Sequence, residues 1–288
     1  MRRTWSRWMA CALALSPMAI SATEGAQRAQ TAGPTVSVLT PPLALPGLGM
    51  PRTLRIYLPP GYADGAQRYP VVYMFDGQNL FDDATSYAGE WGVDEAMDVL
   101  AREDGIAAIV VGIDHGGERR MQELVPFMDW RFLPNQGEAF LVDVTDGIKP
   151  FVDANYRTRP GRADTVVFGS SLGGLEANYA IHHRPDVFGK AGVFSPSFWI
   201  SEAPYAQARA VRLPADARLY LYIGGREGDM AVDDTARMAS LLRQRPGGDA
   251  NVALRVVEAA EHNEAAWRAE FPRAMRWLFA PGRGRGGK

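Results

Sequence analysis

The sequence is short of the residues on which several chemistries depend. Its 288 residues contain one cysteine, Cys11, which lies in an apolar segment near the N-terminus. A chain matured beyond that segment holds no thiol and no disulfide, which excludes a cysteine nucleophile and cysteine metal ligands. Histidine is almost as scarce, with four in the chain. None falls in an HExxH or other metal-ligand spacing, so neither a metal nor a cofactor is expected. Charge of one sign is not in excess. A formal net charge of −2 gives no electrostatic reason to expect nucleic acid as a partner. No apolar run reaches the roughly 20 residues a bilayer-spanning helix needs, so the mature chain is expected to lack an integral membrane segment. There is no internal repeat.

The N-terminus reads as an export signal. Arg2, Arg3 and Arg7 precede an apolar run from Trp8 to Ile20, and Ala19, Ser21 and Ala22 supply small residues for cleavage. Residues 1–22 are therefore expected to be a signal peptide, with a retained anchor as the alternative, and the protein to be periplasmic or secreted. Too little apolar sequence precedes Cys11 for a lipid anchor there. The leader carries three arginines and no acids, so its removal takes the charge from −2 to −5. Residues 23–34 read as a flexible lead-in, 35–280 as one catalytic domain, and 281–288 as a flexible basic tail. At 47% hydrophobic residues the chain can bury a substantial core.

Strand-like and helix-like runs alternate through the domain. Strands are expected at Thr35–Leu39, Thr53–Leu58, Tyr69–Phe75, Ala107–Ile113, Thr165–Phe168, Lys190–Phe194, Arg218–Ile223 and Val252–Val257. Helices are expected at Trp91–Arg102, Glu138–Val152, Ser171–His183, Asp233–Arg245 and Glu264–Phe279. The pattern implies an α/β fold: a mostly parallel sheet covered by helices, its first two strands antiparallel because no helix joins them. Only about 20 residues separate Phe198 from the Arg218 strand, too few for a large lid. Ligands of such sheets sit at the carboxyl ends of the strands, so chemistry is sought in the loops there.

One of these loops carries a G-x-S-x-G pattern, Gly169-Ser170-Ser171-Leu172-Gly173, between a strand and a helix. On such a tight turn the serine hydroxyl stands clear of the backbone, and the following helix N-terminus favours developing negative charge. Ser171 is the candidate nucleophile. The base should follow it in the chain. His115 precedes it, and His182 and His183 end its own helix, where they read as solvated. His262, after the last strand, remains. The acid should follow the Arg218 strand, within Gly224-Gly225-Arg226-Glu227-Gly228-Asp229. Glu227 is favoured as nearer the strand, with Asp229 as the alternative. The oxyanion donors are expected to be the Leu172 amide and the amide of Gln78, or alternatively Gly77, in the loop after YPVVYMF.

With these residues in place, the chain resembles the putative esterase family of α/β-hydrolases, which includes enterochelin esterase-like hydrolases, feruloyl esterases and mycolyltransferases. The resemblance spans about residues 50–280. It rests on YPVVYMFDGQNLF, FVDANYRTRPGRADTVVFGSSLGGLEANYA, FSPSFW, GGREGD and EHNEAAW. It implies an α/β-hydrolase fold and ester hydrolysis or acyl transfer by a serine triad at Ser171, His262 and Glu227 or Asp229. It also places the GIDHGGERR loop near the site, where His115, Arg119 and Arg120 are candidate substrate-binding residues, the arginines for an anionic substrate. Trp199, with Phe198 and Trp130, is a candidate apolar wall. The expected function is hydrolysis of a small or bulky soluble ester of siderophore, feruloyl or sugar type. The alternatives are an extracytoplasmic acyltransferase and a non-catalytic binding protein on the same fold.

Overall fold

The computed structural model describes residues 28–281; the signal peptide expected at 1–22 and most of the basic tail lie outside them. The apolar runs pair into one eight-stranded sheet, in the order β1-β2-β4-β3-β5-β6-β7-β8. The strands are β1 (Val36–Val38), β2 (Leu54–Tyr57), β3 (Val71–Phe75), β4 (Ile109–Ile113), β5 (Thr165–Ser170), β6 (Lys190–Phe194), β7 (Arg218–Gly224) and β8 (Val252–Val257). As expected, β1 and β2 are antiparallel; β2 is also antiparallel to β4, and every later pairing is parallel.

Alternation along the strands feeds two cores. Val72, Met74, Val110 and Phe168 face α1 (Val93–Glu103) and the C-terminal helix. Val71, Tyr73, Val111 and Val167 face the opposite layer. That layer begins with α2, three successive helical stretches: Gly137–Val142, a π-helical Asp143–Ile148 and Lys149–Asn155. It continues with α3 (Leu172–His183), α4 (Ala203–Ala210) and α5 (Asp229–Arg243). The C-terminal helix is α6 (Glu264–Phe279). A strand whose two faces are both covered reads as a continuous apolar run, which is why YPVVYMF and AAIVVGI were legible as strands.

Three features differ from expectation. The helix expected at Glu138–Val152 carries a π-turn at its centre, where the Asp143 carboxylate accepts the Gly47 and Leu48 amides at 2.8 Å each. The connection from β6 to β7 carries α4, whose short apolar face gave little periodic signal. It is still only eight residues, so no large lid is present. Residues 28–34, part of the expected flexible lead-in, are tied to the domain. Thr31 donates to Asp82 and Glu90, and Gly33 donates to Asp94 at 2.8 Å.

His182, expected at a solvated helix end, is buried at 1% exposure. Its Nδ1 donates to the Asn178 carbonyl at 2.7 Å, and its Nε2 accepts from Arg245 at 3.1 Å. Burial pulls its pKa down to about 4. The unfolded chain takes this proton below about pH 6.5 and the folded chain only near 4. The unfolded state therefore binds more protons in that window, and stability present above pH 6.5 is lost as pH falls. The loss attributable to His182 is roughly 3 kcal/mol. Between pH 6.5 and 4, a His182→Gln variant should lose less stability than the wild type in urea titrations.

Candidate active site

Three strands end in backbone turns that place side chains above the sheet edge. Asp76 after β3, Ser171 after β5 and Ser195 after β6 have φ of 57°, 58° and 42°. Among the described residues they are the only non-glycine residues with positive φ, a region that costs a side chain on the order of 1–3 kcal/mol. At Ser171 the turn depends on its glycines. A Cβ on Gly169 would lie 2.4 Å from the Gly173 carbonyl oxygen, and one on Gly174 would lie 2.5 Å from that of Phe194. The β6 segment then clamps the turn: the Ser171 amide donates to the Phe194 carbonyl at 3.0 Å, and the Ser197 amide donates to the Ser171 carbonyl at 3.1 Å. Ser171 precedes the first residue of α3, Leu172, whose amide has no acceptor within the helix.

Glu227 lies in a short 3₁₀ turn after β7, its side chain 3% exposed. Its Oε2 accepts from His262 Nδ1 at 2.6 Å. Its Oε1 accepts from the Gly224 amide at 2.8 Å and from the Ser195 hydroxyl at 2.6 Å. The Ser195 hydroxyl in turn accepts the Trp267 indole N–H at 2.9 Å. Trp267 also meets the His262 ring edge to face, with centroids 5.1 Å apart. A carboxylate on Nδ1 leaves Nε2 as the imidazole's free nitrogen. Asp229, the other candidate acid, is exposed at the first position of α5, away from this network. Glu227, two residues nearer the strand end, is the acid that meets His262.

Ser171 and His262 line one cleft of about 420 Å³, together with Asp76, Asn79, Tyr87, His115, Arg120, Glu264 and Trp267. His115 reaches it as expected. Its Nδ1 accepts from the Gly117 amide at 3.0 Å, and burial lowers its pKa, which keeps the ring neutral at pH 7. Arg120 also lines the cleft, but not as a free anion site. Its Nε and Nη2 bind both Asp76 oxygens at 2.7 and 2.8 Å, so its charge is already neutralised. Arg119 lies apart, with its Nη1 directed to the Met50 sulfur. Trp199 is half exposed and outside the cleft lining, its ring beneath the Arg131 guanidinium, and Phe198 belongs to the core. The expected apolar wall of Trp199, Phe198 and Trp130 is therefore not part of this cleft.

The two oxyanion candidates after β3 sit in the 3₁₀ turn Gly77–Asn79. A Cβ on Gly77 would lie 2.7 Å from the Gly112 carbonyl carbon, so this residue lets the turn press against β4. The Gln78 side chain accepts the His115 amide at 3.2 Å, joining the two loops. No cluster of three or more potential metal ligands occurs among the described residues.

Residues 46–278 match the family described as "Putative esterase". The chain belongs to this family. Family membership supports hydrolysis of ester bonds, and the eight-stranded sheet is that of an α/β-hydrolase. This esterase is 26% identical over 246 residues to the uncharacterized protein YbbA of Bacillus subtilis, covering 81% of the present chain and 94% of YbbA. It is 29% identical over 155 residues to the iron(III) salmochelin esterase of Escherichia coli, covering 52% of the present chain and 33% of that protein. Among solved structures, the siderophore hydrolase EstA of Aspergillus nidulans is similar with a TM-score of 0.67 at 20% identity, covering 93% and 100% of the two chains.

Trp267 and Glu264, which line this cleft, and Ser195, which is hydrogen-bonded to Trp267, carry no functional signal in the linear pattern. Ser195 and Trp267 stand inside the FSPSFW and EHNEAAW segments, but nothing in a linear pattern shows that they meet. Glu264 follows His262 by two positions and reads as an ordinary first-turn acid. Ser195 is open to test by stability alone. Replacing it with Ala leaves the buried Trp267 N–H without its acceptor, at a cost of about 1–3 kcal/mol. Urea denaturation of Ser195→Ala should show that loss, larger than for an exposed serine such as Ser37→Ala.

Proposed function

We propose that the chain is a serine carboxylic-ester hydrolase acting through an acyl-enzyme, with Ser171 as nucleophile, His262 as base and Glu227 as acid. One observation carries this reading: the His262–Glu227 hydrogen bond of 2.6 Å opens onto the cleft in which the strained Ser171 stands. Glu227 holds the imidazole with its proton on Nδ1, so Nε2 can take the Ser171 hydroxyl proton as Oγ attacks the ester carbonyl. The tetrahedral oxyanion is held by the amides of Leu172 and of the Gly77-Gln78 turn, both in the first turn of a helix. The imidazolium then hands its proton to the departing alcohol. His262 next deprotonates a water that attacks the acyl-enzyme, and the acid leaves as Ser171 regains its proton.

Solvent access supports water as the acyl acceptor, since the His262 side chain is 44% exposed and no large lid covers it. Ser195 and Trp267 position Glu227 through the hydrogen bonds already described. The names of the relatives support a siderophore-type ester, and the open cleft suits a bulky soluble substrate of siderophore, feruloyl or sugar type.

The reading is tested with a panel of p-nitrophenyl esters and a fluorophosphonate probe. Ser171→Ala should lower kcat/KM by at least about 10³-fold and abolish labelling. Labelling that persists in this variant would overturn the assignment of the nucleophile. The acids separate in the same assay. Glu227→Gln should cost about 10²–10⁴-fold in kcat, because the amide no longer holds the productive tautomer. Asp229→Asn should stay within about twofold; the reverse ranking would restore Asp229 as the acid.

A further inference from the structure

The acids around the cleft are paired with basic side chains, with one exception. Asp76 holds Arg120 by two hydrogen bonds. Asp114, behind the Gly77 turn, holds Arg55 at 2.8 and 3.0 Å. Glu123, beneath the His115 loop, holds Arg52 at 2.9 Å in full burial. Glu227 holds His262.

Glu264 has no such arrangement. It lines the cleft and is only 7% exposed, yet its carboxylate has no hydrogen-bond or ion-pair partner among the described residues. Arg268, one helical turn further on, turns instead to Glu90 at 3.5 Å. Helix geometry explains how the charge is tolerated. Glu264 is the first residue of α6, capped by the Asn263 side chain, and the helix N-terminus favours an anion there. Its field reaches across the cleft: burial opposes the charge on Arg120, and Asp76 followed by Glu264 more than restores it. With His115 neutral and Arg120 matched by Asp76, the cleft presents one carboxylate that no side chain satisfies.

The position of this carboxylate relative to the chemistry gives it a partner. On the serine-hydrolase reading above, on which this inference rests, His262 delivers a proton to the departing alcohol. The alcohol half of the ester therefore lies at the His262 edge of the cleft, and Glu264 follows His262 by two residues. A carboxylate that lines the cleft with no side-chain partner is open to hydrogen bonds from a bound substrate, and it repels a second anion.

We infer that Glu264 selects the alcohol half of the substrate: it accepts hydrogen bonds from a hydroxyl-rich or ammonium-bearing alcohol and discriminates against one that carries negative charge. A sugar or polyol ester satisfies it. This selection narrows the ester types named above, because an iron-loaded catecholate siderophore, which carries net negative charge, does not satisfy it. The esterase thus takes a neutral or cationic ester, and an arginine-clamped anion is excluded by the same charge pattern.

The test holds the acyl group constant at the one best turned over as a p-nitrophenyl ester and varies the alcohol among glycerol, choline and lactate. Wild-type kcat/KM should be at least about tenfold higher for the glycerol or choline ester than for the lactate ester. Preference for glycerol over choline identifies hydroxyls as the donors, and the reverse identifies an ammonium group; either supports the selection. Glu264→Gln, nearly the same shape, should bring the ratio to within about threefold, and Glu264→Lys should invert it. A wild type that hydrolyses the lactate ester as well as the others overturns the inference without any variant. So does Glu264→Gln slowing all three esters by one common factor. Ser171→Ala, run on the same panel, separates the two readings: turnover that survives there is a failure of the serine mechanism, not of the Glu264 selection.

Discussion

The buried carboxylate of Glu227 is the interaction on which the remainder of the site depends. It accepts hydrogen bonds from three separate segments: the Gly224 amide at the end of β7, the Ser195 hydroxyl after β6, and His262 between β8 and α6. Through Ser195 it is also joined to Trp267 on α6. A carboxylate with two oxygens and three donors cannot rotate without leaving a donor unmet in a dry environment, so the geometry is specified rather than merely permitted. The orientation of the imidazole follows from this fixed acceptor.

Backbone strain is concentrated at the same sheet edge. Asp76, Ser171 and Ser195 follow β3, β5 and β6 with positive φ, each unfavourable for a residue with a side chain. The sheet supports them because β3, β5 and β6 are buried and paired with a neighbouring strand on both sides, which leaves their loop ends little freedom to relax. The Phe194 carbonyl accepting the Ser171 amide and the Tyr222 carbonyl accepting the Ser195 amide show how neighbouring strands hold these turns.

Electrostatics at the cleft are a matter of pairing more than of composition. A chain with nearly balanced charge places Asp76 against Arg120, Asp114 against Arg55 and Glu123 against Arg52, and each pair ties together segments far apart in the chain. An arginine beside such a cleft reads as an anion receptor only while its partner is unknown. Asp76, whose φ of 57° turns it back over β3, removes that reading for Arg120.

What the sequence determined by itself was everything that period and local turn chemistry encode. Apolar runs and helical spacing placed the strands and the main helices, with Lys190–Phe194, Val252–Val257 and Glu264–Phe279 matching residue for residue. The glycines around Ser171 marked the elbow because close backbone approach forbids a Cβ there, and chain order singled out His262. Tertiary structure decided the pairings. The meeting of His262 with Glu227 and not Asp229, the Ser195–Trp267 hydrogen bond, the neutralised Arg120, the distant Arg119 and Trp199, the burial of His182 and the unpaired Glu264 all depend on residues far apart in the chain. Local pattern says which backbone a segment adopts. Which charge finds which partner depends on how strand ends and loops converge, and that is set only when the sheet is assembled.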